Sequence, residues 1–413
     1  MALYAFDGTW NTDADDDAED SNVVRFKELY TRQSFYLSGV GTRMGAIGRA
    51  IGGLFGAGGH TRIREMHEAL GKQWAAGDHE IDIVGFSRGA VLAVHFANLI
   101  ATKGIELPDG THIDGAQAPI RFLGVWDIVG SFGLNVDTIV NFQAINLGWE
   151  IDHVERNVRH CFHAMALDER RETFGLTRLD PDNSRDFVEE RWFRGVHSDI
   201  GGGNRNPDRS NIALQWMLDK AVGVGLPIDA AKRTQVKYAK IDRFAIVSEN
   251  KDPQRDPRRA QQPGDSIDPS APGLILAIGE SHTTSVLAEQ QYNWSGVTLE
   301  RGARYHVKAE GTWKDGDLEP CDARGWKSEQ LGWVKEKIVE WFEDNRREPL
   351  ADWFELVGAY GDEDDELVRL GDAVDGMEFT ATRDADLWLF ANDLKSRYGN
   401  NAGAIDVTVT RRA

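Results

Sequence analysis

Gly85-Phe86-Ser87-Arg88-Gly89 constrains what this chain can fold into more than any other stretch. It reads G-x-S-x-G. Before it runs Ile81-Asp82-Ile83-Val84, short, apolar and β-branched, which predicts a strand. After it runs Ala90 to Ile100, with Val91, Val94, Leu99 and Ile100 apolar, which predicts a helix. Strand, sharp turn and helix together make the pattern a nucleophile elbow. The glycines beside Ser87 remove the Cβ atoms that would obstruct a strained turn. Such a turn lifts Ser87 Oγ above the end of the strand. It also sets the amide of Arg88 at a helix N-terminus, where partial positive charge stabilises an oxyanion.

The same alternation extends through the first half. Strands are predicted at Leu3–Phe6, Ser34–Ser38, Ile81–Gly85, Ile120–Trp126, Val158–Met165, Glu190–Val196 and Arg243–Val247. Helices are predicted at Ile63–Ala75, Ala90–Ala101 and Ser210–Val224. This implies an α/β domain with a mostly parallel sheet and helices on both faces, over residues 1–249. Asn250 to Gly273, dense in Pro, Asp and Arg and without periodicity, predicts a linker. Residues 274–413 read as an antiparallel β-sandwich, with strands at Thr283–Leu287, Val297–Leu299, Tyr305–Trp313, Met377–Thr382, Ala385–Ala391 and Ala404–Val409. A helical insertion near 327–346, with Leu331, Val334, Ile338 and Trp341 on one face, is expected to dock on that sandwich. The acidic run Asp13 to Asp20 is expected to be a solvated loop. Gly45 to Gly59 has no well-spaced G-x-G-x-x-G, which disfavours a dinucleotide site and leaves an apolar flap or a simple loop.

Charge narrows the partners. With 67 Asp and Glu against 47 Lys and Arg, the net charge is −20. That argues against nucleic acid, whose phosphates need a basic surface. Two cysteines, Cys161 and Cys321, make no disulfide framework and suit a reducing compartment. The first residues enter a strand without a basic n-region or small-residue cleavage site, so a cytoplasmic location in the producing cell is expected, and any exit needs another route.

Ligands of parallel sheets bind beyond the strands' C-terminal ends. Asp7, Ser87, Asp127 and His197 all sit at or just past such ends. A serine nucleophile needs a base, and the base an orienting carboxylate. His197, followed by a glycine-rich continuation, is the candidate base; His95, His160 and His163 lie inside elements and read as structural. Asp127 is the candidate orienter and Asp199 its rival. The order Ser, Asp, His is that of α/β-hydrolases. Asp7 and Asp199 are second-layer candidates, and Gly8 and Thr9 could add an amide to the oxyanion site beside Arg88. Asp7 could equally cap its own turn. Two other classes stay open. One is a carbohydrate- or membrane-binding protein whose first domain is a scaffold. The other is a metal-dependent hydrolase using Asp7, Asp127, His197 and Asp199.

Six motifs occur in a familiar order: Phe6-Asp7-Gly8-Thr9-Trp10-Asn11, Gly39-Val40-Gly41-Thr42, Gly85 to Ala90, Phe122 to Asp127, Ala166 to Arg171 and Trp192 to Gly203. Over roughly residues 1–247 the chain resembles the first family of type VI secretion lipase effectors, a branch of α/β-hydrolases. The resemblance implies a phospholipase acting on membranes of rival bacteria, with Ser87, Asp127 and His197 as the triad and no catalytic cofactor. It implies an immunity protein and a type VI delivery protein as partners. Ile128 and Arg194 depart from the Thr and Pro usual in that family, and no large membrane-contacting module is visible. Asn392 to Gly403 resembles the calcium loop of the bacterial galactophilic lectin I family. That resemblance implies Ca²⁺ at side chains of Asp393, Asn400 and Asn401, with backbone carbonyls at Arg397 and Asp315. Hard oxygen ligands in a tight loop are what Ca²⁺ prefers.

Overall fold

The computed structural model describes residues 1–8, 20–39, 57–130, 151, 153–171, 174–204, 206–238, 242–245, 259, 261–316, 318–327 and 346–413. Thr9, the glycine-rich piece before residue 57 and the expected insertion around 329–345 lie outside the described residues. The chain divides into two units, Met1–Ala271 and Pro272–Ala413.

The first unit alternates strands and helices: β1 (Ala2–Phe6), α1 (Asn22–Leu29), β2 (Gln33–Leu37), α2 (Ala57–Ala75), β3 (Ile81–Phe86), α3 (Arg88–Lys103), a small hairpin of β4 (Ile105–Glu106) and β5 (His112–Ile113), β6 (Ile120–Trp126), β7 (Cys161–Ala166), β8 (Val188–Phe193), α4 (His197–Gly201), α5 (Ser210–Gly223), α6 (Ala230–Tyr238) and β9 (Ser266–Ile267). The large sheet runs β2-β1-β3-β6-β7-β8-β9. Every pairing in it is parallel. Its strands are apolar on both faces because both are covered. Tyr4, Phe6, Ile83 and Leu123 pack with Met66, Leu70, Val91, Val94 and Phe96 of α2 and α3. The alternating residues Leu3, Ala5, Val84, Phe86, Phe122 and Trp126 pack with Val23 and Phe26 of α1 and Leu214 and Met217 of α5. The period-2 pattern of each strand thus supplies two cores at once.

The structure moves the expected linker. Residues 261–271 belong to the first unit, and β9 pairs with β8 at Arg191↔Ser266 and Trp192↔Ile267. Asp265 anchors this edge. It accepts from Arg178 Nη1 and Nη2 at 3.1 and 3.0 Å, and from Trp192 Nε1 at 2.8 Å. A Pro- and Asp-rich composition hides this, because the partners lie more than seventy residues away. Near the expected strand Arg243–Val247, residues 243–245 form a turn and bend. Asp20, expected in a solvated loop, is 3% exposed, and its carbonyl accepts from Gly203 N–H at 3.2 Å. Helix α1 had no counterpart among the predicted elements. Its start is fixed by Ser21, whose Oγ accepts from Val24 N–H at 3.3 Å.

The second unit is an antiparallel sandwich. One sheet is β10 (Ser281–Leu287), β17 (Asn401–Arg411), β12 (Arg304–Asp315) and β15 (Met377–Thr380). The other is β11 (Asn293–Leu299), β16 (Ala385–Ala391), β13 (Leu356–Tyr360) and β14 (Leu367–Arg369). The inner faces meet in a core of Tyr305, Trp313, Phe354, Leu356, Leu389, Ile405 and Val407. The Trp313 indole donates to Phe354 O at 3.1 Å, which satisfies its N–H inside that core.

The edge anchor is testable. Asp265→Ala removes the acceptor for a half-buried guanidinium and a buried indole, worth about 2 kcal/mol for charge-assisted bonds. The melting temperature of the first unit should fall by about 5 °C in differential scanning calorimetry. An unchanged transition would mean that β9 adds nothing to the sheet.

Candidate active site

The elbow forms as its sequence dictates. Ser87 caps α3 with φ 59° and ψ −127°, a conformation that costs a side-chain-bearing residue about 1–3 kcal/mol. Surrounding structure holds it there: Ser87 N–H donates to Trp126 O at 3.0 Å across β6. Gly89 allows the first turn of α3 to close onto the end of β1. A Cβ there would stand 2.3 Å from Phe6 O and 2.4 Å from Asp7 O. The Asp7–Gly8 backbone therefore abuts the elbow. The Arg88 amide is at the first position of α3, where no carbonyl one turn earlier can receive it.

Asp127 directly follows β6 and is another residue with positive φ, 41°. Its carboxylate is completely buried and faces the glycine-rich continuation of β8. Oδ2 lies 2.6 Å from His197 Nδ1. Oδ1 accepts from Ala166 N–H at 2.8 Å and from Arg259 Nη1 at 2.6 Å. His197 opens α4 and packs its ring against Phe86 and Phe174, at centroid distances of 4.6 and 5.0 Å. Phe86 immediately precedes Ser87, so the imidazole lies against the elbow itself. Gly201 permits this arrangement: a Cβ there would overlap the Phe86 ring at 1.9 Å.

The other predicted residues take different places. Asp199 turns away from Nδ1; its Oδ2 accepts from Val196 N–H at 3.1 Å and its Oδ1 from Asn204 at 3.0 Å. Asp7 Oδ2 accepts from Ser21 Oγ at 2.8 Å and Tyr36 Oη at 2.7 Å, while Gly8 N–H donates to Asp7 Oδ1 at 2.7 Å. Arg88 is half-buried, and burial lowers its pKa. Among the described residues no three His, Cys, Asp or Glu side chains group as a metal site. The carboxylates of the metal-dependent alternative are taken up by the donors just named. In the second unit Asp315, Asp393, Asn400 and Asn401 do come together. Asn401 Nδ2 donates to Asp393 Oδ2 at 2.9 Å, Asn400 Nδ2 donates to Asp315 Oδ1, and Asp315 pairs with Asn401 in the β12–β17 register. Arg397 precedes a short 3₁₀ turn of Tyr398–Asn400 in the same loop.

Sequence reasoning missed three contributors. Glu169 accepts from His197 N–H at 3.1 Å and from Arg171 at 2.9 and 3.0 Å. Arg171 in turn covers the Phe174 ring at 3.2 Å. Glu169 stood inside the quoted Ala166 to Arg171 motif, so position could have suggested it. His163 Nε2 accepts from Ile128 N–H at 3.3 Å and its Nδ1 meets Glu190 at 2.8 Å, steadying the residue after Asp127. Arg259 came from the stretch read as linker, and nothing local signalled it.

Burial would raise the Asp127 pKa, but the charge of Arg259 and the bond and charge of His197 outweigh it and hold the carboxyl well below the usual carboxylate range. For His197 burial dominates and lowers its pKa, against the opposing pull of Asp127 and then Glu169. A carboxylate kept ionised beside an imidazole kept neutral is a base ready to take a proton.

A family model described as the type VI secretion Tle1-like phospholipase effector catalytic domain matches residues 3–115 and 108–220. Among solved structures, an uncharacterized protein from Pseudomonas aeruginosa shares 21% identity over 59% of this chain and 49% of its own, with a TM-score of 0.41. The chain thus spans about half the length of that protein. The Tle1 effector bound to the VgrG spike from the type 6 secretion system shares 15% identity, over 99% of this chain and 68% of its own, with a TM-score of 0.35. The EclA N-terminal domain, a PllA-like lectin, shares 19% identity over 32% of this chain and 95% of its own, with a TM-score of 0.24. No curated protein sequence matches the chain.

The electrostatics fix a sign. If Ser87 reacts as a nucleophile with His197 as its base, then with Asp127 ionised throughout that reaction should fail as pH drops through the His197 pKa. The rate of fluorophosphonate labelling of Ser87 is expected to rise with pH through a midpoint below the roughly 6.5 of free imidazole and then stay level. A midpoint above that value would contradict the burial of His197.

Proposed function

Because the chain belongs to the Tle1-like phospholipase effector family of type VI secretion, we propose that it is a serine phospholipase that cleaves acyl esters of membrane phospholipids in rival bacteria. The observation that carries the serine mechanism is the 2.6 Å Asp127–His197 pair lying against a strained elbow with Ser87 at its apex. In this reading Ser87 Oγ attacks the ester carbonyl and His197 Nε2 takes its proton. Asp127 fixes Nδ1–H and balances the imidazolium that forms. The Arg88 amide donates to the tetrahedral oxyanion; the Gly8 amide is bonded to Asp7 Oδ1 and would have to leave that carboxylate to join it. His197 then returns the proton to the departing lysolipid oxygen, and water releases the fatty acid from Ser87. A spike protein of the VgrG kind and an immunity protein are the partners this reading entails.

The second unit supports a separate, non-catalytic role for Ca²⁺. Asn401 Oδ1 is buried without a hydrogen-bond partner, beside the buried carboxylate of Asp393. Burial, added to by the charge of Asp315, pushes Asp393 up to about 7. An orphan oxygen beside a buried carboxylate pushed towards its neutral form is what a hard divalent cation would relieve. Asp393, Asn400 and Asn401 would hold it, with carbonyls of Arg397 and Asp315. Sugar binding at this loop is the further expectation of the lectin resemblance.

Ser87→Ala should cost on the order of 10⁶ in kcat and Asp127→Asn about 10⁴, with Asp199→Asn far milder. The readout is lipid mass spectrometry after incubation with mixed phospholipids, which also reports the head group and the ester cut. Normal turnover by Ser87→Ala would leave the binding-module reading standing. Calcium should raise the melting temperature of the full chain by mass action, and Asp393→Ala should abolish that rise. Hydrolysis of a small soluble ester should be unaffected by chelator. Chelator-sensitive hydrolysis would defeat this division of roles.

A further inference from the structure

We propose that Arg259 is a positioning residue of this site, clamping Asp127 and fixing the charge balance that leaves His197 unprotonated. The inference rests on the serine-hydrolase reading above. The guanidinium is 5% exposed and reaches three acceptors from a segment far from the triad in sequence. Nη1 donates to Asp127 Oδ1 at 2.6 Å and to Ala166 O at 3.0 Å; Nη2 donates to Phe174 O at 2.7 Å. Asp127 is thereby held on both oxygens, one by Arg259 and Ala166, the other by His197. The Phe174 bond holds the residue whose ring packs edge-on to the imidazole.

The charges facing His197 come from several elements. Asp127 follows β6 and Glu169 follows β7, and both are negative. Arg171 pairs with Glu169, and Arg259 pairs with Asp127. Asp199, on α4 itself, is turned into its own helix start and Asn204. The two carboxylates bonded to His197, Asp127 and Glu169, are each paired with a guanidinium, and a neutral imidazole completes a neutral cluster. In a buried site an unbalanced charge is costly, so the cluster favours that state. Without Arg259 the cluster carries one excess negative charge, which an imidazolium would cancel. His197 would then hold its proton to higher pH and be a poorer base near neutrality. The Asp127 backbone, strained at φ 41°, would also lose one of its restraints.

The test is the pH dependence of kcat/KM for a small soluble ester, with wild type, Arg259→Met and Arg259→Lys. Fluorophosphonate labelling rates at Ser87 and thermal melts accompany it. In Arg259→Met the acid limb should move to higher pH. Its activity relative to wild type should be at least about threefold lower at pH 6 than at pH 9. Arg259→Lys keeps the charge but loses the three-point contact. Its kcat should fall with the acid limb in place. It serves as the deciding variant should Arg259→Met not fold, since an acid limb displaced in the lysine variant would also sink the charge argument. A uniform loss across pH in Arg259→Met reduces the residue to a structural strut and overturns the proposal. Wild type without esterase activity or Ser87 labelling would instead overturn the underlying function.

Discussion

A buried carboxylate that must stay charged governs this molecule. Asp127 is wholly enclosed, and burial alone would drive it to its neutral acid. The ion pair with Arg259 and the bond to His197 reverse that tendency. Breaking a buried pair by removing one partner commonly costs 3–5 kcal/mol, because an uncompensated charge remains. The surrounding architecture follows from keeping this group sealed: the loop after β7 supplies Ala166 N–H and Glu169, the turn at Phe174 supplies a carbonyl, and a distant arginine closes the cluster.

The strain at the site has the same origin. Ser87 and Asp127 both take positive φ, and both directly follow adjacent parallel strands of one sheet. Such conformations persist only where neighbours over-determine them. Here β6 does so by receiving Ser87 N–H on Trp126 O, and β7 by receiving Asp127 N–H on Ala164 O. The close approaches at Gly89 and Gly201 then bring the β1 loop and the His197 helix against the elbow. The rigid sheet pre-sets the geometry, as electrostatic stabilisation requires.

The second unit solves a different problem. Its sandwich core includes Trp313 and Phe354. One end of that sandwich nevertheless gathers Asp315, Asp393, Asn400 and Asn401, with one oxygen left unpaired. Buried polar groups are ordinarily satisfied, so the unpaired Asn401 oxygen is an exception within this cluster.

Much of this was legible from local pattern. The elbow and each strand or helix depend on neighbouring residues, whose spacing sets local conformation directly, and the order of Ser87, Asp127 and His197 is read off the chain itself. The family motifs named the same three residues for the same reason. What sequence left open was decided by distance in space. It offered Asp199 as a rival to Asp127, and only the turn of α4 shows Asp199 closing its own helix start. It read residues 250–273 as a linker, because Pro, Asp and Arg describe local flexibility and say nothing of partners beyond it. Yet Asp265 pins the edge of the sheet and Arg259 reaches the site's carboxylate. The sequence by itself determined which groups could do chemistry. The tertiary structure decided which are charged, because charge depends on burial and on partners brought together across more than a hundred residues.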